Sequence, residues 1–392
     1  MTERVYLDWN ATTPLRLEAR EAMAAAFDVF GNPSSIHAEG RAGRSMIEEA
    51  RTAVAALVGA KPADVVFTSG GTEANLLALS PQTTGEGRTC GRLLMSAVEH
   101  PSVLAGGRFA TQDQEQIPVD TNGVLDLAVL QQRLQELAGQ GVRPLVSVMV
   151  ANNETGVLQP VSEVADLVHE AGGLLHADAV QAAGKIPLDI NELKADLLAI
   201  SAHKIGGPKG IGALIRRSDM IHPDAVIRGG GQERGLRGGT ENAIGIAGFG
   251  AAAKAAHAAL GTDNQRIAEL RDQAEAGLRE INPDVVVFGA AGARLPNTTL
   301  FSVPGIKAET AVIALDLNGV AVSSGSACSS GKVAHSHVLA AMGVAPDLVR
   351  GQVRVSLGPA TTKADIDRFL EAWRRLSGSL LKRQQIQPGI AA

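Results

Sequence analysis

Cysteine is scarce in this chain: Cys90 and Cys328 are the only two among 392 residues. Far apart in sequence, they make neither a disulfide framework nor a cysteine-rich metal cluster, and such a chain suits a reducing cytoplasm. An excess of one charge is also lacking. With 36 basic and 41 acidic residues the net charge is −5, and that balance points to no nucleic-acid or membrane partner. Residues 1–10 have no charged start leading into an apolar core, so no secretion signal is expected. The most apolar long segment, residues 243–260, is mostly Ala and Gly and contains Lys254 and His257. It reads as a tightly packed buried helix rather than a membrane span. Internal repeats and low-complexity linkers are absent too. The length leaves room for two or three domains' worth of core.

What is present is a regular alternation. Apolar runs of strand length occur at Val65–Thr68, Leu93–Ser96, Leu145–Val150, 174–177, 197–200 and 211–215. Helical patterns lie between several of them, at Glu73–Ser80, from Pro101 and at Val161–Ala171. This cadence predicts an α/β fold, with a mostly parallel sheet covered by helices. After about residue 260 the character changes. A charged helix over 263–280 precedes strands near 284–288 and 297–303 and a helix over 307–317. Strands near 320–323 and 352–357 and a helix over 363–377 complete that part. The expected division is a large domain over 14–260 and a smaller α+β domain from 1–13 and 261–392, with the polar tail from Lys382 frayed.

One lysine has an unusual frame. The run Leu197–Ile200 reads as a buried strand; Ser201, His203 and Lys204 follow, then a glycine-proline turn and a second apolar strand. Upstream, the strand Leu174–Ala177 ends on Asp178, with Gln181 close behind. Two such residues could simply form a structural ion pair. A strand-end lysine and a strand-end carboxylate are also what pyridoxal phosphate (PLP) chemistry needs. The lysine holds the aldehyde, and the acid keeps the pyridine nitrogen protonated.

Other strand ends carry suitable groups. Thr68-Ser-Gly-Gly-Thr-Glu73 lies between a strand and a helix. Its glycines, the helix N-terminus and the Thr72 hydroxyl could receive a phosphate, although the same residues serve ordinary capping. His100 could stack on a ring or move protons, or be a packed structural histidine. Asn153 and Gln181 could donate to a ring oxygen, while residues 151–156 also suit an Asx turn. Thr72, His100, Asn153, Asp178, Gln181 and Lys204 all fall at one edge of the expected sheet, where open α/β sheets bind ligands. Their co-occurrence favours a site.

With these residues in view, the chain resembles the PLP-dependent cysteine desulfurases of the NifS/IscS type, within the class V aminotransferase superfamily of fold-type I enzymes. The resemblance runs from Tyr6 to Gly358. It rests on Thr68-Ser-Gly-Gly-Thr-Glu73, Glu99-His100-Pro101, Asn152-Asn-Glu-Thr-Gly156, His176-Ala-Asp-Ala-Val-Gln181, Ser201-Ala-His-Lys204, Arg228–Asn242 and Ser323-Ser-Gly-Ser-Ala-Cys328. It implies that Lys204 carries PLP and then acts as the proton-transferring base, that Asp178 pairs with the ring nitrogen and that His100 stacks on the ring. Asn153 and Gln181 would contact the ring oxygen. Gly71, Thr72, Ser201 and His203 would hold the phosphate, with Thr240 reaching in from the second subunit of a homodimer. Asn32 and Arg354 would receive the carboxylate of L-cysteine. No metal site is expected.

Cys328 lies among small residues, Ser323 to Gly331, that could form a mobile loop. It could be merely a small residue in a turn. Beside a PLP site it reads as a nucleophilic thiolate that takes sulfur from L-cysteine, releases L-alanine and keeps a persulfide. The sulfur would pass to an acceptor or scaffold protein, for iron–sulfur cluster assembly or other thio-cofactor synthesis. Cys90, in a polar connection, reads as incidental. The chain departs from the family pattern at Val333-Ala-His-Ser-His-Val338 and at Pro359-Ala360, which bears on the acceptor rather than the PLP site. Competing readings are a related class V activity, such as aminotransfer or selenocysteine lysis, and a catalytically idle sulfur-transfer partner.

Overall fold

Short apolar runs closed by glycine or polar turns form the strands of this chain, and amphipathic stretches form the helices. The computed structural model describes residues 4–81, 89–325 and 336–385. The chain opens with β1 (Val5–Tyr6), α1 (Leu17–Ala26) and α2 (Ala38–Leu57). Next come β2 (Val65–Thr68), α3 (Gly71–Ala78), β3 (Arg92–Ser96), the short α4 (Pro101–Leu104) and β4 (Gln114–Ile117). The middle holds α5 (Leu127–Gly139), β5 (Pro144–Met149), α6 (Val161–Glu170), β6 (Leu174–Asp178), β7 (Leu197–Ser201) and β8 (Gly212–Arg216). Then follow α7 (Ala243–Ile281), β9 (Val286–Val287), β10 (Thr298–Ser302), α8 (Ala308–Leu317) and β11 (Val320–Ala321). The last elements are α9 (His337–Ala341), α10 (Pro346–Arg350), β12 (Val353–Ser356) and α11 (Lys363–Gln385).

Seven strands make the main sheet, in the order β2–β8–β7–β6–β5–β3–β4. Every neighbouring pair from β7 to β4 is parallel, and β8 alone runs antiparallel to both its neighbours. Strands β5 to β8 are buried along their whole length, as expected of strands covered on both faces. The mostly parallel α/β architecture therefore stands as expected. The edge strand β4, Gln-Glu-Gln-Ile, escapes a search for apolar runs because a sheet edge tolerates polar residues. Helices α1, α2 and α5 were likewise not foreseen.

The expected helices over 243–260 and 263–280 are one helix, the 39-residue α7. No proline interrupts it, and Gly261 in open space costs only about 1 kcal/mol relative to alanine. Ile246, Phe249, Ala252 and Ala256 from its first half enter the main core, and Ile267, Leu270 and Leu278 from its second half enter another. The junction expected after residue 260 thus falls inside a continuous helix. By length and composition α7 could cross a membrane, yet half of its most apolar window is buried within the fold. Its small residues have a packing reason: a Cβ on Gly250 would lie 2.5 Å from the Ala50 Cα of α2.

The second core gathers Val5, Leu7, Phe301, Phe369 and Trp373. It lies with the antiparallel sheet β12–β10–β9 and the parallel pair β1–β11. Phe301 meets Trp373 edge-on at 4.9 Å. Helix α11 runs to Gln385, past Lys382 where fraying was expected. Cys90 lies in the connection before β3, as expected, but is buried there. It packs with Leu93, Met95 and Leu145, and burial pushes its thiol up to about 11, which leaves it unreactive.

Candidate active site

The parallel strands bring their carboxyl ends to one edge of the main sheet. Strand β6 ends on Asp178, in register with Met149 and Ala199. Its Oδ1 accepts from the Val180 amide at 2.9 Å and its Oδ2 from Asn75 Nδ2 at 2.8 Å. Strand β7 ends on Ser201, and one tight turn, Ala202–Lys204, follows. Lys204 Nζ donates to the carbonyls of Asn10 (2.5 Å) and Ala11 (2.9 Å). The amine is thereby held against the N-terminal segment. Gly206, with φ at +85°, makes the following turn without the strain a side chain would add.

After β3 comes His100, at the N-cap of α4. The Ser102 amide donates to His100 Nδ1 at 3.1 Å, so Nδ1 is an acceptor and the ring's proton sits on Nε2. Burial lowers the His100 pKa against the opposing pull of Asp178, so the ring is neutral. Asn75 donates to both Ser102 Oγ and Asp178. The imidazole and the carboxyl are thus joined through Asn75 and Ser102. Glu99, just before, is buried outright, and burial with the nearby Asp178 pushes its carboxyl well above the usual range.

After β5 the chain does make the Asx turn. Asn152 Oδ1 accepts from the amides of Glu154 and Thr155, and the turn leaves Asn153 on the cavity wall. The turn is made by Asn152, and the neighbouring Asn153 is the one that faces the cavity. Gln181 Nε2 donates to the Asn10 carbonyl at 3.1 Å. Arg354 projects from β12, with Nη1 on the Asn153 carbonyl (2.9 Å) and Nη2 on Asp8 (2.8 Å).

At the other end stands the N-terminus of α3. Gly70 is its N-cap without any side-chain cap, and Glu73 reaches back to the Ser69 amide at 2.7 Å. Thr72 is therefore not spent on capping. A Cβ on Gly71 would lie 2.8 Å from Val180, so only glycine lets the loop approach there. His203 contacts Thr12 Oγ1 at 3.2 Å. Burial first, then Lys204, lowers its pKa to about 4, so it is a neutral hydrogen-bonding group at pH 7.

One cavity of about 280 Å³ unites these groups. Lys204, Asp178, Gln181, His100, Asn153 and Arg354 line it together with Gly71, Thr72, Ser201 and His203. Three expected residues are not among them. Asn32 is exposed, its Oδ1 engaged by the Ser34 amide. Thr240 lies in a separate cleft with Ser69 and Glu241. Cys328 lies outside the described residues, as do Val333 and His335 of the departing segment. The described Ser336 hydrogen bonds to Glu154, and His337 Nε2 contacts the Glu99 carbonyl at 2.8 Å. Pro359, in the other departure, offers its carbonyl to Arg266.

The segment carrying Thr240 is clamped. Arg51 makes two bonds of 2.8 Å to the Glu233 carboxylate, which also accepts from the Phe67 amide at 2.8 Å. Glu233 and Arg234 both have left-handed φ, 45° and 56°, a cost of about 1–2 kcal/mol each. The buried pair holds that backbone, since removing one partner of such a pair costs about 3–5 kcal/mol.

Sequence reasoning passed over Asn75, Ser102, Lys185 and the hub role of Asn10. Asn75 lies one turn beyond Thr72 on α3, and Lys185 lies four residues after Gln181. Those spacings were the only signals available.

The α/β fold with its strand-end cavity is that of a class V aminotransferase: the family described as aminotransferase class-V matches residues 5–369. A cysteine desulfurase IscS of Dictyoglomus turgidum is 42% identical over 381 residues, 96% of this chain and 95% of that one. A cysteine desulfurase of Cereibacter sphaeroides is 44% identical over 376 residues, 94% of each. The crystal structure of a NifS-like protein from Rickettsia africae superposes with a TM-score of 0.86 at 35% identity, covering 96% of this chain and 100% of that one. The chain belongs to the cysteine desulfurases of the IscS/NifS type, within the class V aminotransferases. These are PLP-dependent enzymes as a family.

Proposed function

We propose that the cavity binds PLP and that the protein converts L-cysteine to L-alanine, leaving the sulfur on Cys328 as a persulfide. Overall, a thiol and L-cysteine give a persulfide and L-alanine, so atoms and electrons balance without another reactant. One observation carries the reading: Lys204 and Asp178, from two different strand ends, line one cavity together with His100, Gln181 and Arg354. The donor set fits PLP. An amine, a carboxyl, a neutral imidazole and a glycine-lined helix N-terminus answer its aldehyde, ring nitrogen, ring face and phosphate. Asn75 Oδ1, buried without a partner among the described residues, keeps one polar atom available beside Asp178.

When bound, PLP supplies an aldehyde for the substrate amine and a ring that accepts electrons from the α-carbon. The residues do the rest. Lys204 holds the cofactor and moves the α-proton; its Nζ exchanges the Asn10 and Ala11 carbonyls for that work. Asp178, oriented by Asn75 and the Val180 amide, keeps the ring nitrogen protonated. His100 packs against the ring. Arg354, oriented by Asp8 and the Asn153 carbonyl, binds the substrate carboxylate through its remaining donors. Incubation with L-cysteine and a reductant is expected to yield alanine and sulfide in equal amounts. Production of neither by PLP-loaded protein would sink the reading.

The active unit is a homodimer in this proposal. Phe27, Phe30 and Ile36 are 69%, 85% and 90% exposed, a density of bare apolar side chains that suits an interface. Asn32 lies in the same stretch, and Thr240, away from the cavity of its own chain, would complete a neighbour's phosphate site. Mixing a Lys204→Ala protomer with a Thr240→Ala protomer should give heterodimers with one site free of both changes. Activity should then rise above that of either parent; no gain after verified subunit exchange counts against sharing. The acceptor is a sulfur-acceptor or iron–sulfur scaffold protein, and a reducing cytoplasm suits the free thiol.

A further inference from the structure

Beside the Schiff-base lysine stands a second one with no part in the scheme above. Lys185 is partly exposed as a residue, yet burial acts strongly on its amine. Nζ donates to Gln181 Oε1 at 2.7 Å and to Asn10 Oδ1 at 2.9 Å. Both acceptors are oriented independently of it. Asn10 Nδ2 faces the Asn153 carbonyl (3.3 Å), and Gln181 Nε2 faces the Asn10 carbonyl (3.1 Å). A carbonyl can only accept, so each amide must turn its oxygen towards Lys185. A lysine amine can donate two hydrogens in either charge state. Gln181 Nε2 spends one hydrogen on Asn10 and keeps the other for the cavity it lines.

We propose that Lys185 is a positioning residue that locks the Gln181 amide with its N–H towards the ring oxygen of PLP. The inference rests on the reading that PLP occupies this cavity. Without the Lys185 amine, Gln181 Oε1 would be an unpaired buried oxygen, and the Asn10 carbonyl alone would hold the amide. An amide fixed at one end only would donate less well to an anionic ring oxygen and weaken the bound cofactor. A donated hydrogen bond also draws charge from that oxygen and eases deprotonation of the adjacent linkage nitrogen. Losing the bond therefore raises the pH midpoint of the cofactor's colour change.

Other charges must be separated from this effect. Burial pushes Lys185 well below the usual lysine value, and Lys204 and Arg354 add to that push. Lys185 in turn contributes to lowering His203. Asp8 sits on Arg354, and Arg16 and Asp263 line the adjoining cleft with Lys185. A purely electrostatic influence of Lys185 on Lys204 would persist without Gln181; a positioning influence would not.

The test is a double-mutant cycle on holoenzyme with Lys185→Met and Gln181→Ala, reading PLP affinity and the absorbance midpoint. Each single variant should bind PLP about five- to tenfold more weakly, the value of one hydrogen bond. Each should also raise the midpoint by about half a unit to one unit. In the Gln181→Ala background, Lys185→Met should change nothing further. Shifts that add in the double variant, or a Lys185→Met protein with wild-type affinity and midpoint, overturn the proposal. Should Lys185→Met lose its cooperative thermal transition, Lys185→Leu, which likewise has no donor, takes its place with the same readings. Wild-type protein that forms no borohydride-reducible adduct at Lys204 overturns the PLP reading itself. A wild type that passes while the cycle fails overturns only the role of Lys185.

Discussion

Lys204→Ala is expected to cut alanine formation by at least about a thousandfold, because it removes the covalent anchor and the proton-transferring group together. The geometry offers no substitute. Lys185 is engaged by Gln181 and Asn10, and the other ring-side groups are a carboxyl and a neutral imidazole. Folding should be little affected, since the Lys204 amine's bonds to the Asn10 and Ala11 carbonyls can be taken over by water in the cavity. Thermal melting should therefore stay close to wild type while the yellow colour and the reducible adduct disappear. The check is borohydride treatment followed by peptide mass analysis. In the wild type the pyridoxyl mass should fall on the peptide containing Lys204. A label elsewhere, or a Lys204→Ala protein that keeps its rate, would show that the lysine had been misassigned.

Cys328→Ala should abolish desulfuration while sparing everything before it. The expected fall in alanine production is about a thousandfold, or roughly 4 kcal/mol of barrier. PLP binding should not change, because none of the groups proposed to hold PLP is altered. On both sides of the segment carrying Cys328 the described chain meets Glu154, the neighbour of Asn153. A Cβ on Gly325 would lie 2.4 Å from Gln352 and 2.9 Å from the Glu154 carboxyl. Ser336, where the description resumes, hydrogen bonds to the same carboxyl. Burial raises the pKa of Glu154 against the Ser336 bond, and Asn153, its neighbour, lines the cavity. Selenocysteine should suffer less than cysteine, because selenolate is the better leaving group and needs less nucleophilic help. The measurement is alanine release from each substrate with the PLP absorbance followed in parallel. Wild-type alanine release from L-cysteine by Cys328→Ala would sink the persulfide mechanism.

Much of the site was legible because parallel strands carry it. A buried strand announces itself by consecutive apolar residues, and its carboxyl end is then fixed in the sequence. Asp178, Ser201 and Lys204 could be placed on one sheet edge from that pattern alone. The Asn152–Asn153 pair was half legible: the turn and a cavity position competed in the sequence, and the fold puts Asn152 in the turn and Asn153 on the cavity wall. Cys90 is incidental to the site as expected; only its burial escaped, since Thr89 and Gly91 say nothing about the direction its side chain takes.

The sequence by itself determined the strand–helix cadence, the chemistry at the strand ends and the family resemblance, because those depend on local pattern and residue type. Tertiary structure decided the rest. It joined two expected helices into α7, since burial in two successive cores outweighs one glycine. It linked His100 to Asp178 through Asn75 and Ser102, residues whose side chains meet only when α3, α4 and β6 pack. It brought Arg354 across from a second sheet and made Asn10 the shared partner of Lys185, Lys204 and Gln181. Such contacts depend on where distant segments meet, and amide or amine orientation follows from which fixed carbonyl each one finds there.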